Sequence, residues 1–309
     1  MGKKQLLTVI SVLRKCRARW EEERFRLLWL ALGHELESMG SAGDVDWRGG
    51  PIVPVARNLW VDHPHISGMT YDDSERIRQQ RFIIVTCMDA QKIPTPIENM
   101  DLLPFPDWII GVLRRQGFNQ PTAFQVQAWP AAMKGHNIIG ISKSGSGKTM
   151  SYVVPMLMHT QGQEELNQGE GPIGLVILPQ RELCTKLASD IDKFLVHAPL
   201  KAVALCGVEG EDVGVGQLLG KVDILVATPA RLISLLIAGR INLKRATFVV
   251  VDEADYLFNG IFSDLMQMVL SSMRPDRQVL LFASNLDATL QGVAERVCKV
   301  HPIQIECDA

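Results

Sequence analysis

This sequence has almost no net charge, no paired cysteines and no long apolar run, and each absence narrows what it can be. The formal net charge is −2, so no global polycation announces nucleic-acid binding and any such surface has to be a local patch. Six cysteines (Cys16, Cys87, Cys184, Cys206, Cys298, Cys307) lie far apart without a C-x-x-C pair. That spacing argues against a zinc site or a disulfide framework and for a reducing compartment. No stretch approaches the ~18 uninterrupted apolar residues of a membrane span. Internal repeats and low-complexity tracts are also missing. Lys3, Lys4, Arg14, Lys15, Arg17 and Arg19 precede the first acidic residue, Glu21, in the manner of a transit peptide. The acidic run Glu21–Glu23 breaks that pattern, so mitochondrial import is not expected, and a basic-ended amphipathic helix is the plainer reading.

What is present is ordinary for a globular protein: 47% hydrophobic and 21% charged residues, with 25 glycines and 16 prolines. A length of 309 residues suits one large or two modest domains. Residues 5–39 read as helical, with Phe25, Leu28, Trp29, Leu32 and Leu36 at i, i+3, i+4 spacings. Residues 40–58, rich in Gly and Pro, read as a linker. From about residue 100 short apolar runs alternate with amphipathic stretches: 137–142, 174–179, 202–207, 222–229, 247–253 and 278–284. Shorter patches at 82–87 and 302–306 are further strand candidates. Between the runs, residues 181–195 form a helical pattern with Leu183, Leu187, Ile191 and Leu195 on one face. Continuous rather than alternating hydrophobicity suits strands buried on both sides, hence an α/β fold with a mainly parallel sheet.

Residues 141–150 read ISKSGSGKTM, after an expected strand and before the helical MSYVVPMLMH. Strand, glycine-rich turn and helix form the context that a phosphate loop requires. Gly145 and Gly147 let the backbone bend, so that successive N–H groups from Ser144 to Thr149 converge on phosphate oxygens. The helix N-terminus adds partial positive charge. Lys148 is placed to reach the β- and γ-phosphates, and Thr149 to ligate Mg²⁺. Ser142 stands where the general pattern has its first glycine. The plain alternative is a Gly/Ser-rich turn carrying a solvent lysine.

VVVDEAD (249–255) ends a buried run in three carboxylates. At the C-terminal end of a strand, Asp252 and Glu253 fall beside the loop in a doubly wound sheet. There Asp252 would hold Mg²⁺ through water and Glu253 would polarise an attacking water. Alone, the segment reads equally well as a solvated acidic turn. Together with the loop about one hundred residues upstream, it completes one site for a nucleoside triphosphate.

Five ordered motifs now resemble a family. GFNQPTAFQ (117–125), PQREL (179–183), TPARL (228–232), DEAD (252–255) and FASN (282–285) are similar to motifs of the DEAD-box ATP-dependent RNA helicases. HPHISGMTYDDSERIRQQRFIIVTC (63–87) resembles the extension before the core of the large nuclear members. The resemblance covers roughly residues 55–309 and leaves 1–50 outside. It implies a RecA-like three-layer sandwich with a mainly parallel central sheet, preceded by a partly helical or extended N-terminal segment. The implied division is 1–50 as a segment of unknown role, 51–99 as the pre-core extension and 100–309 as the ATP-binding domain. Implied ligands are ATP and Mg²⁺, and implied partners are RNA and ribonucleoproteins. A monomer in nucleus or cytoplasm, coupling ATP hydrolysis to remodelling of short RNA duplexes, would fit that family.

Carried over residue by residue, the resemblance gives Glu253, Asp252 and Lys148 catalytic roles. Gln125, Phe118, Ser144, Gly145, Ser146, Gly147, Lys148 and Thr149 would bind nucleotide, and Thr149 and Asp252 the metal. Arg181, Gly207, Thr228 and Arg231 would contact RNA, while Asp255, Ser284 and Asn285 would couple the two sites. Gln125 carries a second reading: Thr122 and Gln125 form T-x-x-Q, a capping box for the helix after Pro121. Adenine recognition by its amide, donating to N7 and accepting from N6, rests on the resemblance.

Departures fall mostly on the RNA side. Gln180 replaces the Thr of PTREL, Ala230 the Gly of TPGRL, and Gly207-Val208 the Gly-Gly pair, with Cys206 in place of a frequent Tyr. Ala230 at positive φ would cost about 1 kcal/mol, and β-branched Val208 more. Ala283-Ser284-Asn285 replaces Ser-Ala-Thr, leaving the Asn285 amide as a possible partner of Asp255. Met100 stands where an aromatic is expected upstream of the Q motif, with Phe105 nearby. The family core has two RecA-like domains, and the resemblance here ends with the first. Arginine fingers on the second are worth on the order of 10³–10⁵ in rate, so slow hydrolysis is expected of these 309 residues alone. The leading reading is thus a helicase-family chain; the alternative is a non-unwinding, nucleotide-dependent RNA- or protein-binding module. A small-molecule P-loop kinase fits the acidic motif poorly.

Overall fold

Each apolar run marked as a strand in the sequence becomes one. The strands are β1 (Ile83–Thr86), β2 (Ile138–Ser142), β3 (Gly174–Ile177), β4 (Ala202–Leu205), β5 (Ile224–Ala227), β6 (Phe248–Val251), β7 (Gln278–Ala283) and β8 (Ile303–Cys307). They belong to a computed structural model that describes residues 53–89, 93–206, 220–259, 273–298 and 301–307, with positions 263, 266, 269 and 270. The helix expected over 5–39, and Gly207 and Val208, lie outside the described residues.

All eight strands form one sheet in the order β1-β8-β2-β7-β6-β3-β5-β4. Only β1 against β8 is antiparallel, with Val85 opposite Ile305; every other pairing is parallel. Successive side chains of a strand point to opposite faces, so a strand buried on both sides needs apolar residues throughout. β6 illustrates this: Phe248 and Val250 enter one core layer, Val249 and Val251 the other. Each such fully buried side chain contributes roughly 1.5–3 kcal/mol.

The helices are α1 (Pro64–Ser67), α2 (Tyr71–Gln80), α3 (Asp107–Arg115), α4 (Ala123–Met133), α5 (Lys148–Gln161), α6 (Arg181–Leu195), α7 (Pro229–Ile237), α8 (Ala254–Leu257) and α9 (Ala288–Cys298). Residues of α3 to α6 share the core layer of Phe248. Those of α7 to α9 share the layer of Val249, which gives three layers. The buried face of α6 is Cys184, Leu187, Ile191 and Phe194. Leu183 and Leu195, expected on that face, lie at its margins, because the 3.6-residue turn centres the stripe between them. No helix among the described residues is long and apolar enough to cross a membrane.

The segment before the core is tied to it. Thr70 and Asp73 close a capping box at the start of α2. Arg78 on that helix is buried and donates to Gln127 Oε1 at 2.9 Å and to the Pro94 carbonyl at 3.1 Å. Of the linker expected over 40–58, the described part begins at Val53, whose carbonyl accepts from Arg274 at 2.7 Å. Ala56 exchanges two hydrogen bonds with the Gln163 side chain, at 3.1 and 2.9 Å.

Candidate active site

Sheet order decides what meets at the C-terminal strand ends. β7 lies between β2 and β6, so the turn after β7 sits between the glycine-rich loop and the acidic strand end. Gly140 in β2 makes this possible, since a Cβ there would meet Phe124 at 2.6 Å and Phe282 at 2.7 Å.

The loop turns through Gly145 (φ +90°) and Gly147 (φ +96°), and Gly147 caps α5. At Gly147 a Cβ would lie 2.5 Å from Thr122 Oγ1, so both its φ and its surroundings exclude a side chain. Ser142, in the place of the first glycine, is buried, and its hydroxyl shares a 2.6 Å hydrogen bond with Ser146 Oγ. Ser144 and Gly145 are exposed at the tip. The Lys148 ammonium donates to the Ser142 carbonyl and, at 3.4 Å, to that of Lys143. Burial lowers its pKa, opposed by the charges of Asp252, Asp255 and Glu253.

Asp252 follows β6. Its Oδ1 accepts from the Glu253 N–H at 2.9 Å and its Oδ2 from the Tyr152 hydroxyl at 3.0 Å. Burial raises its pKa, against the pull of those bonds and of Lys148. Glu253 is raised by burial, then by Asp252 and Asp255. It adopts φ +53°, ψ 45°, a left-handed conformation of the kind that clusters at functional sites and costs about 1–3 kcal/mol. Asp255 Oδ2 accepts from the Ser284 backbone N–H at 3.1 Å. That donor is main chain, so the bond survives the exchanges at Ala283 and Asn285, and the exposed Asn285 amide is not its source.

Tyr152 was not singled out in the sequence. It lies one turn beyond Lys148 on α5, and i, i+4 spacing puts the two on one helix face. That spacing is the signal that points to it. Its hydroxyl donates to Asp252 Oδ2 at 3.0 Å.

Gln125 is fully buried and occupied at both ends of its amide. Oε1 accepts from Thr122 N at 3.1 Å, which closes the capping box, and Nε2 donates to the Gly147 carbonyl at 3.1 Å. Phe118 is half-buried at the core margin. Met100 is 1% exposed within the core, and Phe105 packs edge-on against Trp129 with centroids 5.3 Å apart. Neither offers an open face to a base, and the Met100 thioether is spent on packing.

On the other side, Arg181 starts α6 and is exposed, while Thr228 precedes α7 with no cap bond from its hydroxyl. Arg231, in the first turn of α7, is 7% exposed, so a phosphate contact from it needs its cover to move. Ala230 lies in α7 at negative φ, and the strain considered for it does not arise. Gly207 is outside the described residues.

The oxygen donors of Thr149 and Asp252 suit Mg²⁺, which takes one or two protein oxygens and fills its sphere with phosphate and water. The two glycines at positive φ leave the loop free of side-chain bulk where phosphate would approach.

A glycine-rich turn on a central strand, an acidic strand end two strands away and a mainly parallel sheet define a RecA-like P-loop domain. The chain belongs to the DEAD/DEAH box helicase family, whose model matches residues 122–294. ATP-dependent RNA helicase DBP2 of Mycosarcoma maydis is 34% identical over 252 residues, which are 82% of this chain and 45% of that protein. DEAD-box ATP-dependent RNA helicase 20 of Arabidopsis thaliana is 34% identical over 245 residues, 79% of this chain and 48% of the relative. The chain therefore spans less than half the length of these relatives. Among solved structures, the yeast DEAD-box splicing factor Prp28 superposes with a TM-score of 0.70 at 22% identity, over 79% of this chain and 57% of that one. Prp28 from Chaetomium thermophilum, bound to ADP, gives 0.68 at 24%, over 80% and 59%. At such identities the two structures establish the fold.

Proposed function

We propose that this chain binds ATP with Mg²⁺ at the C-terminal ends of β2, β7 and β6, hydrolyses it, and engages RNA beside that site. The convergence of Lys148, Asp252 and Glu253, with Asp255 bonded to Ser284 N–H, carries the reading. Lys148 leaves its loop carbonyls for the phosphate oxygens, whose charge replaces two neutral acceptors. Thr149 and Asp252 would hold the cation, which when bound would neutralise phosphate charge. Glu253, with its raised pKa, orients and accepts a proton from the attacking water. Gln125 keeps the loop in register through Gly147 and turns to adenine only by giving up one of its two bonds. The Asp255–Ser284 bond links the acidic segment to the turn after β7, a route by which nucleotide state reaches RNA.

The relatives' names as ATP-dependent RNA helicases support duplex remodelling in the complete family architecture. A second reading, a nucleotide-dependent binding module that unwinds nothing, is favoured by the burial of Arg231 and by Gln180 in the place of a threonine. Single-turnover hydrolysis with and without RNA tests both. Glu253→Gln should keep ATP affinity and lose turnover. Wild-type turnover in that variant would sink the assigned chemistry. RNA-stimulated hydrolysis with unwinding selects the helicase reading, and ATP binding without RNA stimulation selects the module.

A further inference from the structure

Tyr152 carries a hydroxyl that core packing does not require. Its ring is 1% exposed and packs on Phe282, with centroids 5.2 Å apart and planes tilted by 47°. A phenylalanine would fill the same space. The hydroxyl is buried and must therefore find a partner. It finds one in Asp252 Oδ2, at 3.0 Å. The phenol thus holds one of the two side chains that supply the candidate metal oxygens, from the helix that starts at Lys148.

We propose that Tyr152 is a positioning residue for the metal site, its hydroxyl fixing the Asp252 carboxylate before a cation arrives. An ionised carboxylate has about four lone-pair sites. Two are taken here, by the Tyr152 hydroxyl and the Glu253 N–H. The remaining pair would then be left to face the cation's shell. Outer groups of this kind orient ligands, and their loss typically weakens metal binding by about 10–100-fold. Without the hydroxyl, Asp252 would keep only the Glu253 N–H and could rotate. This inference rests on the ATP–Mg²⁺ reading above.

The test is equilibrium binding of a fluorescent ADP analogue to the 309-residue chain, across an Mg²⁺ titration and in EDTA. Wild type, Tyr152→Phe and Lys148→Ala are compared, with thermal melts beside them. For Tyr152→Phe, affinity in EDTA should stay near wild type while the half-effective Mg²⁺ concentration rises about tenfold or more. An unchanged Mg²⁺ dependence overturns the inference, as does an equal loss of affinity with and without Mg²⁺. Failure of Tyr152→Phe to fold also overturns it, by making the hydroxyl structural. If wild type and Lys148→Ala both fail to bind ADP, the nucleotide reading falls and takes this inference with it. If wild type binds with Mg²⁺ dependence and Tyr152→Phe matches it, only the present inference is lost.

Discussion

Gln125 and His159 carry the two most exposed expectations at the scale of single residues. Gln125 was open to two readings, cap or base reader, and its amide serves the cap at one end and the phosphate loop at the other. The T-x-x-Q spacing made the first bond legible. The second was hidden because Gly147 is 22 residues away in sequence. Gln125→Ala leaves Thr122 N–H and the Gly147 carbonyl without these partners, so chemical denaturation should register a loss of about 1–3 kcal/mol. Nucleotide affinity should fall with it. His159 is buried with Nε2 on Thr247 Oγ1 at 2.9 Å, and burial, reinforced by the Arg57 charge, pulls its pKa down to about 3. An unfolded histidine titrates near 6.5, so the unfolded chain takes up the proton first as pH falls. This depressed pKa gives stability that is full above about pH 6.5 and is lost progressively toward pH 3. Unfolding midpoints of His159→Gln should change less than those of wild type between pH 7.5 and 4.5. Parallel pH profiles would contradict the assignment.

At the scale of elements, β2, β3, β5, β6 and β7 were readable because they are buried on both faces, and two-sided burial writes an unbroken apolar run; β1, β4 and β8 alternate in burial. β1 and β8 came from shorter patches, yet they pair and close one end of the sheet. Their antiparallel sense had no local signature, since pairing direction depends on how the chain returns. The path of residues 53–60 was equally hidden, because three of its anchors are main-chain groups, bonded to Arg274, Gln163 and Met133, beside the Arg57 side chain on the Arg277 carbonyl. Arg78 fastens α2 to α4 from a buried position. Arg78→Met leaves Gln127 Oε1 without this partner and the Pro94 carbonyl with the Gln127 Nε2 bond alone, and a stability loss of about 1–3 kcal/mol is expected in urea titration. A change below about 0.5 kcal/mol, ordinary for surface sites, would mean that the extension is not fastened there.

At the scale of the whole molecule, sheet order brings the site together: one strand separates the loop from the acidic end, and its own following turn bonds Asp255. Both motifs were legible, whereas the contact through the Ser284 main chain was not, because side-chain identity at 283–285 says nothing of a backbone donor. The burial of Arg231 was likewise invisible in TPARL. The central claim is that this site takes ATP with Mg²⁺, and calorimetric titration of ATP–Mg²⁺ into the 309-residue chain tests it most directly. Saturable one-to-one binding is predicted for wild type, with at least about a tenfold loss for Lys148→Ala, since a charge-assisted bond is worth roughly 1.5–3 kcal/mol. No heat of binding from folded wild type, or equal affinity in Lys148→Ala, would contradict the account.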